Sequence, residues 1–178
     1  MRLVCRTCEL RPLEPADAPS IALHANDRDI WLNVRDRFPH PYSLNDAETF
    51  IATMADQSPV LSFGIIVDGV AGGGISLMPG KDIERCSTEI GYWLGRAFWG
   101  RGIATEAVRT LTTYAFEQIG FERVFAVAFA HNPASARVLE KAGYVKEGFM
   151  RRSAIKDGVI IDQWLYAAYN DPAPANPE

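Results

Sequence analysis

Cysteine is scarce in this chain: Cys5, Cys8 and Cys86 are all it has. A structural zinc site needs four ligands. The lone C-x-x-C at Cys5 and Cys8 finds neither a second pair nor two suitably spaced histidines, since His24, His40 and His131 are scattered. The expectation is therefore reduced thiols in a cytosolic protein and no metal. Long apolar runs are missing too: none approaches the ~18 residues of a membrane span. The opening stretch "MRLVCRTCELRPLEP" is broken by Arg6, Glu9 and Arg11, so no signal-peptide core is expected and a cytoplasmic location is. Positive charge is not in excess. Lysine and arginine number 18 against 22 acidic residues, a net charge of −4. That argues against a broad nucleic-acid-binding surface but leaves room for a local basic site.

What is present is ordinary globular composition, with 48% apolar and 22% charged residues over 178 positions. The length fits one domain, taken here as residues 1–170, able to bury a sizeable core. The remaining stretch from Asp171, "DPAPANPE", is proline-rich and apolar-poor and is expected to be a disordered tail.

Local signals order the rest. A strand is expected over Thr7 to Leu13, ended by prolines. One or two helical pieces follow between Ala16 and Arg37, and "FPHPY" (Phe38 to Tyr42) reads as a loop. Asn45 and Glu48 suggest a capping box for a helix through Ala55. Asp68-Gly69 and Asp157-Gly158 each sit between strand-like runs and predict hairpins. Ser87 to Leu94 is a further strand. A helix is expected from Gly102 to Gln118, with Ala104, Ala107, Val108, Leu111 and Ala115 on its buried face and Gly120 at its end. Glu122 to Ala130 is apolar on both faces, as in an interior strand. Asn132 caps a short helix with Pro133 at its first position. The order, with one βαβ crossover among hairpins, argues for an α+β domain with a mixed sheet.

The stretch "WGRGIATEA", Trp99 to Ala107, joins a strand to a helix through two glycines. Such a turn is an anion site: the first helical N–H groups lack partners and the helix dipole adds positive charge. A P-loop is excluded, because no lysine stands where that motif needs one. A dinucleotide fingerprint lacks its third glycine, with Thr105 in that place, although Glu122 lies at about the right distance for a ribose-binding acid. Coenzyme A is the third possibility. Here the stretch resembles the phosphate signature of the GNAT N-acetyltransferase superfamily, [RQ]-x-x-G-x-[GA], with Gly102 and Ala104 at its last two fixed positions. Trp99 stands where Arg or Gln is usual. "STEIGYWLGRAFWGRGIATEA", "NPASARVLEKAGY", "LRPLEPADA" and "PHPYSLNDAETFI" together are similar to the branch of ribosomal-protein N-terminal (RimJ/RimL-type) acetyltransferases, over roughly Cys8 to Tyr169.

That resemblance implies a mostly antiparallel mixed sheet with helices on both faces and a central βαβ acyl-CoA-binding unit. It implies acetyl-CoA as cosubstrate and a primary amine as acceptor, on a protein or peptide N-terminus or a small molecule. A homodimer is common among such relatives. A non-catalytic acyl-CoA-binding module is the alternative, because the family's usual tyrosine, seven residues after the motif asparagine, is Leu139 here.

The reaction needs a base for the amine, stabilisation of the carbonyl oxygen and an acid to give the leaving thiolate a proton. Glu89 is the favoured base, with His131 the other candidate. Strand alternation puts Glu89 with Gly91 and Trp93 on one face and Tyr92 and Leu94 on the other. The resemblance points to backbone groups of Tyr92, Trp93 and Leu94 for the acyl oxygen, and to Ser135 for the sulfur. It assigns coenzyme A contacts to Trp99, Gly100, Arg101, Gly102, Ile103, Ala104, Thr105, Asn132 and Arg137. Arg28, Trp31, Tyr42 and Trp164 are candidate walls for the acceptor.

Overall fold

The computed structural model describes residues 1–55 and 57–170. The tail expected from Asp171 lies outside the described residues. The chain opens with a small hairpin, β1 (Leu3–Val4) and β2 (Glu9–Arg11). The strand expected over Thr7 to Leu13 is shorter because its first residues form the hairpin turn. The Cys5 N–H donates to the Cys8 carbonyl at 3.0 Å, and Pro12 has no N–H to continue the ladder.

Two helical pieces follow as expected, α1 (Ala18–Ala25) and α2 (Arg28–Trp31). Helix α3 (Leu44–Met54) starts from a different cap than Asn45 and Glu48 suggested. Ser43 is the cap: its Oγ accepts from the Asp46 N–H at 3.2 Å, and Asp46 Oδ2 accepts from the Ser43 N–H at 2.8 Å. The same reciprocal pairing is made two residues earlier, with Asp in the role usual for Glu.

Strands β3 (Ser62–Val67) and β4 (Val70–Pro79) meet at Asp68-Gly69, both with positive φ, as a tight hairpin requires. Next come β5 (Ser87–Leu94) and α4 (Ile103–Tyr114). The predicted helix continues beyond Tyr114 only as a π-helical turn, Ala115–Ile119, closed by left-handed Gly120. The remaining elements are β6 (Arg123–Phe129), α5 (Pro133–Lys141), β7 (Val145–Lys156) and β8 (Val159–Tyr169), the last two joined at Asp157-Gly158. They form one sheet in the order β1-β2-β3-β4-β5-β6-β8-β7. Only β5 and β6 are parallel, with α4 as their crossover. The fold is the expected mixed α+β sheet with helices on both faces.

Burial explains the layers. Ala107, Val108 and Leu111 of α4 and Ala115 of the π-helical turn are fully buried, and with Leu139 of α5 they pack on Phe63, Ile65, Val67, Ile90 and Val124. On the opposite face, Ile21 and Ala25 of α1 and Ala47 and Ile51 of α3 pack on Ile66 and Ala71.

One irregularity positions the site. β5 pairs with β4 along its whole length but with β6 only at Ser87, Thr88 and Glu89. Beyond Glu89 the two parallel strands part. The Glu122 N–H bonds the Cys86 carbonyl at 2.8 Å, and the Gly95 N–H bonds the Gly72 carbonyl at 2.7 Å. Backbone polar groups alternate along a strand. Those of Tyr92 and Leu94 therefore face the opening, and those of Gly91 and Trp93 face β4. On the β4 side close approach is possible because Gly73 has no side chain: a Cβ there would lie 2.4 Å from the Trp93 carbonyl oxygen. Gly73→Ala should therefore destabilise the fold by about 1–3 kcal/mol, the usual range for overpacking, read by urea denaturation. An unchanged midpoint would contradict that close approach.

Candidate active site

The turn after β5 is built on backbone conformation. Gly100 and Gly102 both have φ of +75°, in the left-handed region, although neither has a neighbour within 4 Å of an added Cβ. Glycine is required there by torsion and not by crowding. Gly102 caps α4 without a side chain, and the first helical bond runs from the Glu106 N–H to the Gly102 carbonyl at 3.1 Å. The N–H groups of Ile103, Ala104 and Thr105 thus point out of the helix end without intrahelical partners.

They open into a cavity of about 570 Å³ between β5, the turn, α4 and α5. Of the residues expected to hold coenzyme A, Tyr92, Trp93, Leu94, Trp99, Gly100, Gly102, Ile103, Ala104, Thr105, Asn132, Ser135 and Arg137 all line it. Arg101 does not, and pairs with Asp68 at 3.2 Å. Trp99, the motif's unusual residue, donates its indole N–H to the Leu94 carbonyl at 2.6 Å. It therefore occupies a backbone acceptor exposed where β5 leaves β6. Asn132 caps α5 as predicted, its Oδ1 accepting from the Ser135 N–H at 3.1 Å. The Tyr92 hydroxyl reaches Ser135, 2.9 Å from its Oγ and 3.3 Å from its carbonyl oxygen. Burial pushes the Tyr92 phenol up to about 12. Leu139 is fully buried, and Tyr144 is a core residue whose hydroxyl lies 2.6 Å from Thr112 Oγ1.

A second cavity of about 170 Å³ lies on the other side of β5. Glu89 lines it with Phe38, Phe50, Ser76, Met78 and Trp93, and Arg35 closes on Glu89 at 2.5 Å. Six residues, Asn33, Val34, Tyr92, Trp93, Asn132 and Ser135, line both cavities, so the two meet beside the parted strands. His131 is exposed and lines neither. The four candidate acceptor walls also stand outside both. Tyr42 is buried in the α1–α3 core, and Arg28 pairs with Asp157 at 2.6 Å. Trp31 stacks on His40, with the Lys156 ammonium 3.8 Å from its ring centre; Trp164 packs on Phe149. Sequence reasoning missed Arg35, Asn33 and Val34, which no local pattern marks. Among the described residues no group of three or more His, Cys, Asp or Glu is placed to hold a metal, and no helix is long and apolar enough to cross a membrane.

Fold and site together bring a parted strand edge, a helix end with unpartnered N–H groups and two adjoining cavities to one place. Comparison with known proteins gives the class. The family model described as "Acetyltransferase (GNAT) domain" matches residues 8–145. The chain belongs to the GNAT acetyltransferase family and is an acetyl-CoA-dependent N-acetyltransferase. It is 34% identical over 166 residues to the putative ribosomal N-acetyltransferase YdaF of Bacillus subtilis, covering 89% of this chain and 88% of that protein. It is 32% identical to the probable N-acetyltransferase YjcK of the same organism, over 93% and 95% of the two chains. The fold is shared with RimL, a ribosomal L7/L12 α-N-protein acetyltransferase solved with coenzyme A, at a TM-score of 0.82 and 19% identity over 95% and 98% of the chains.

The α2 side of the larger cavity is tied down electrostatically. Arg96, just before the glycine turn, holds the carboxylate of Asp27, the cap of α2, through two bonds of 2.9 Å and also bonds Asp29 in its first turn. The Arg96 guanidinium hydrogen bond draws the Asp27 carboxyl below its ordinary value. A carboxyl lowered on folding stabilises above its unfolded pKa of about 3.9 and loses that contribution as pH falls through the folded value. The stability gap between wild type and Arg96→Ala should thus be full near neutrality and shrink below pH of about 4. A gap independent of pH in denaturation curves would contradict the tie.

Proposed function

We propose that this enzyme acetylates a primary α-amine at the N-terminus of a protein or peptide, by direct attack on acetyl-CoA. The observation that carries this reading is the meeting of the two cavities at Tyr92, Trp93, Asn132 and Ser135. A thioester lying along the parted edge of β5 is then exposed to an amine entering from the Glu89 side. The acceptor class is supported by the ribosomal N-acetyltransferase name of YdaF and the α-N-protein title of RimL.

The open N–H groups of Ile103, Ala104 and Thr105 and the left-handed glycines before them suit the pyrophosphate. Arg137, on the wall of that cavity, suits a further phosphate. The backbone of β5 at Tyr92 and Leu94 supplies N–H groups that the sheet does not consume, suited to the acyl chain and the oxygen that gains charge. Glu89 acts as base through a water, taking the proton of the attacking ammonium. Its side chain is 15% exposed and held by Arg35 at the chamber wall. The amine nitrogen bonds the acyl carbon and sheds its second proton to solvent, the carbon–sulfur bond breaks, and the electron pair goes to sulfur. Ser135 donates a hydrogen bond to that sulfur.

Thiol release from acetyl-CoA, with a panel of N-terminal peptides and small amines, tests the acceptor. Turnover with peptides over simple amines is expected, and preference for a small amine would contradict the protein-acceptor reading. Glu89→Gln should lower kcat by about a hundredfold or more, in the range of general-base removal, with acetyl-CoA affinity unchanged. Full activity, or a parallel loss of affinity, would remove Glu89 from the role. Gly102→Glu places a non-glycine residue at φ +75° and a carboxylate against the anion site. It should abolish coenzyme A binding in calorimetry while the protein stays folded, and retained affinity in a folded variant would refute the turn's assignment.

A further inference from the structure

The family's usual tyrosine is absent at Leu139, which is fully buried. Tyr144, in the same core cluster, is occupied by Thr112. Tyr92 reaches Ser135 from the parted half of β5. Its hydroxyl stands 2.9 Å from Ser135 Oγ where the two cavities join.

We propose that Tyr92 is a positioning residue: its phenol donates to Ser135 Oγ and so turns the serine's own proton toward the leaving sulfur. This rests on the reading of Ser135 as the donor to that sulfur. The direction of the bond follows from chemistry. A phenol is a better donor and a poorer acceptor than an alkyl hydroxyl. If Ser135 donated instead, the phenol proton would be left with the Ser135 carbonyl at 3.3 Å, a longer and weaker contact. The raised phenol pKa keeps Tyr92 a donor throughout the neutral range. Ser135 is fixed from its other side, because its N–H is held by Asn132 Oδ1. With the phenol proton on its Oγ, the serine hydroxyl has its own proton free for the cavity.

The resulting chain, phenol to serine to sulfur, polarises each bond along its length. As the carbon–sulfur bond breaks, the electron pair placed on sulfur is met by the serine proton. Neither hydroxyl ionises. One proton of the ammonium leaves through the Glu89 water before attack, the nitrogen's second proton passes to solvent as the amide forms, and the released thiolate takes a proton from solvent.

The test is a double-mutant cycle read as kcat and as acetyl-CoA dissociation constant. Tyr92→Phe should lower kcat by about tenfold, the value of one oriented hydrogen bond, with the dissociation constant unchanged. Ser135→Ala should lose at least as much, and adding Tyr92→Phe to it should cost nothing further. In Ser135→Thr, which keeps a hydroxyl, the effect of Tyr92→Phe should return. Losses that multiply in the double variant would overturn the proposal, since a structural role for Tyr92 does not depend on the serine hydroxyl. A slow Ser135→Ala beside a fully active Tyr92→Phe would overturn Tyr92 alone. A fully active Ser135→Ala would overturn the Ser135 reading, and the proposal with it.

Discussion

β5 and β6 run parallel for three residue pairs and then part, and every functional feature hangs on that parting. A continuous ladder would consume the N–H and C=O groups of Tyr92 and Leu94 and close the space between α4 and α5. Parting leaves an extended edge with unspent hydrogen-bonding capacity. It persists because each strand is held elsewhere: β5 by β4 along its whole length, β6 by β8 through seven register pairs. The side-chain-free Gly73 lets β4 draw β5 to one side. Trp99 satisfies the Leu94 carbonyl that the parting exposes, so the residue that departs from the family motif has a physical task of its own.

Two kinds of wall close around this edge. One is local in sequence: a strand, a left-handed glycine turn and a helix end, with α5 capped by its own asparagine. The other, formed by α2 and the loop after it, is held by charges far apart in the chain. Arg35 meets Glu89 across 54 residues, Arg96 ties down Asp27 and Asp29, and Lys156 reaches Asp36 at 2.7 Å. The Lys156 side chain is only 3% exposed and lies over Trp31, so the β7–β8 hairpin tip braces the loop that bears Arg35. A buried ammonium depends on its partners, which makes this brace specific.

This division explains what was legible in the sequence. Asp68-Gly69, Asp157-Gly158, Asn132-Pro133 and the glycine turn each carry a local backbone requirement, and the structure puts each where its chemistry demanded. The residues expected to contact the coenzyme line one cavity for the same reason, apart from Arg101, whose partner Asp68 lies 33 residues earlier. Ser43 and Asn45 are both good caps, and choosing between them needed the entry angle of the loop. Trp31 and Tyr42 have the size of pocket walls, yet Tyr42 is core and Trp31 is sandwiched between His40 and Lys156. Nothing local marks Arg35, because its meaning comes from a carboxylate on a strand that folds beside it later.

The central claim is that the edge of β5 beyond Glu89 is open in the free enzyme and is spent on the acyl donor. Residue-resolved amide exchange by NMR addresses it directly. In the free protein the Tyr92 and Leu94 amides should exchange quickly while those of Gly91 and Trp93, bonded to β4, exchange slowly. Acetyl-CoA should then slow Tyr92 and Leu94 and leave their neighbours unchanged. Tyr92 and Leu94 amides already protected in the free enzyme, or unaffected by saturating acetyl-CoA, would contradict the account.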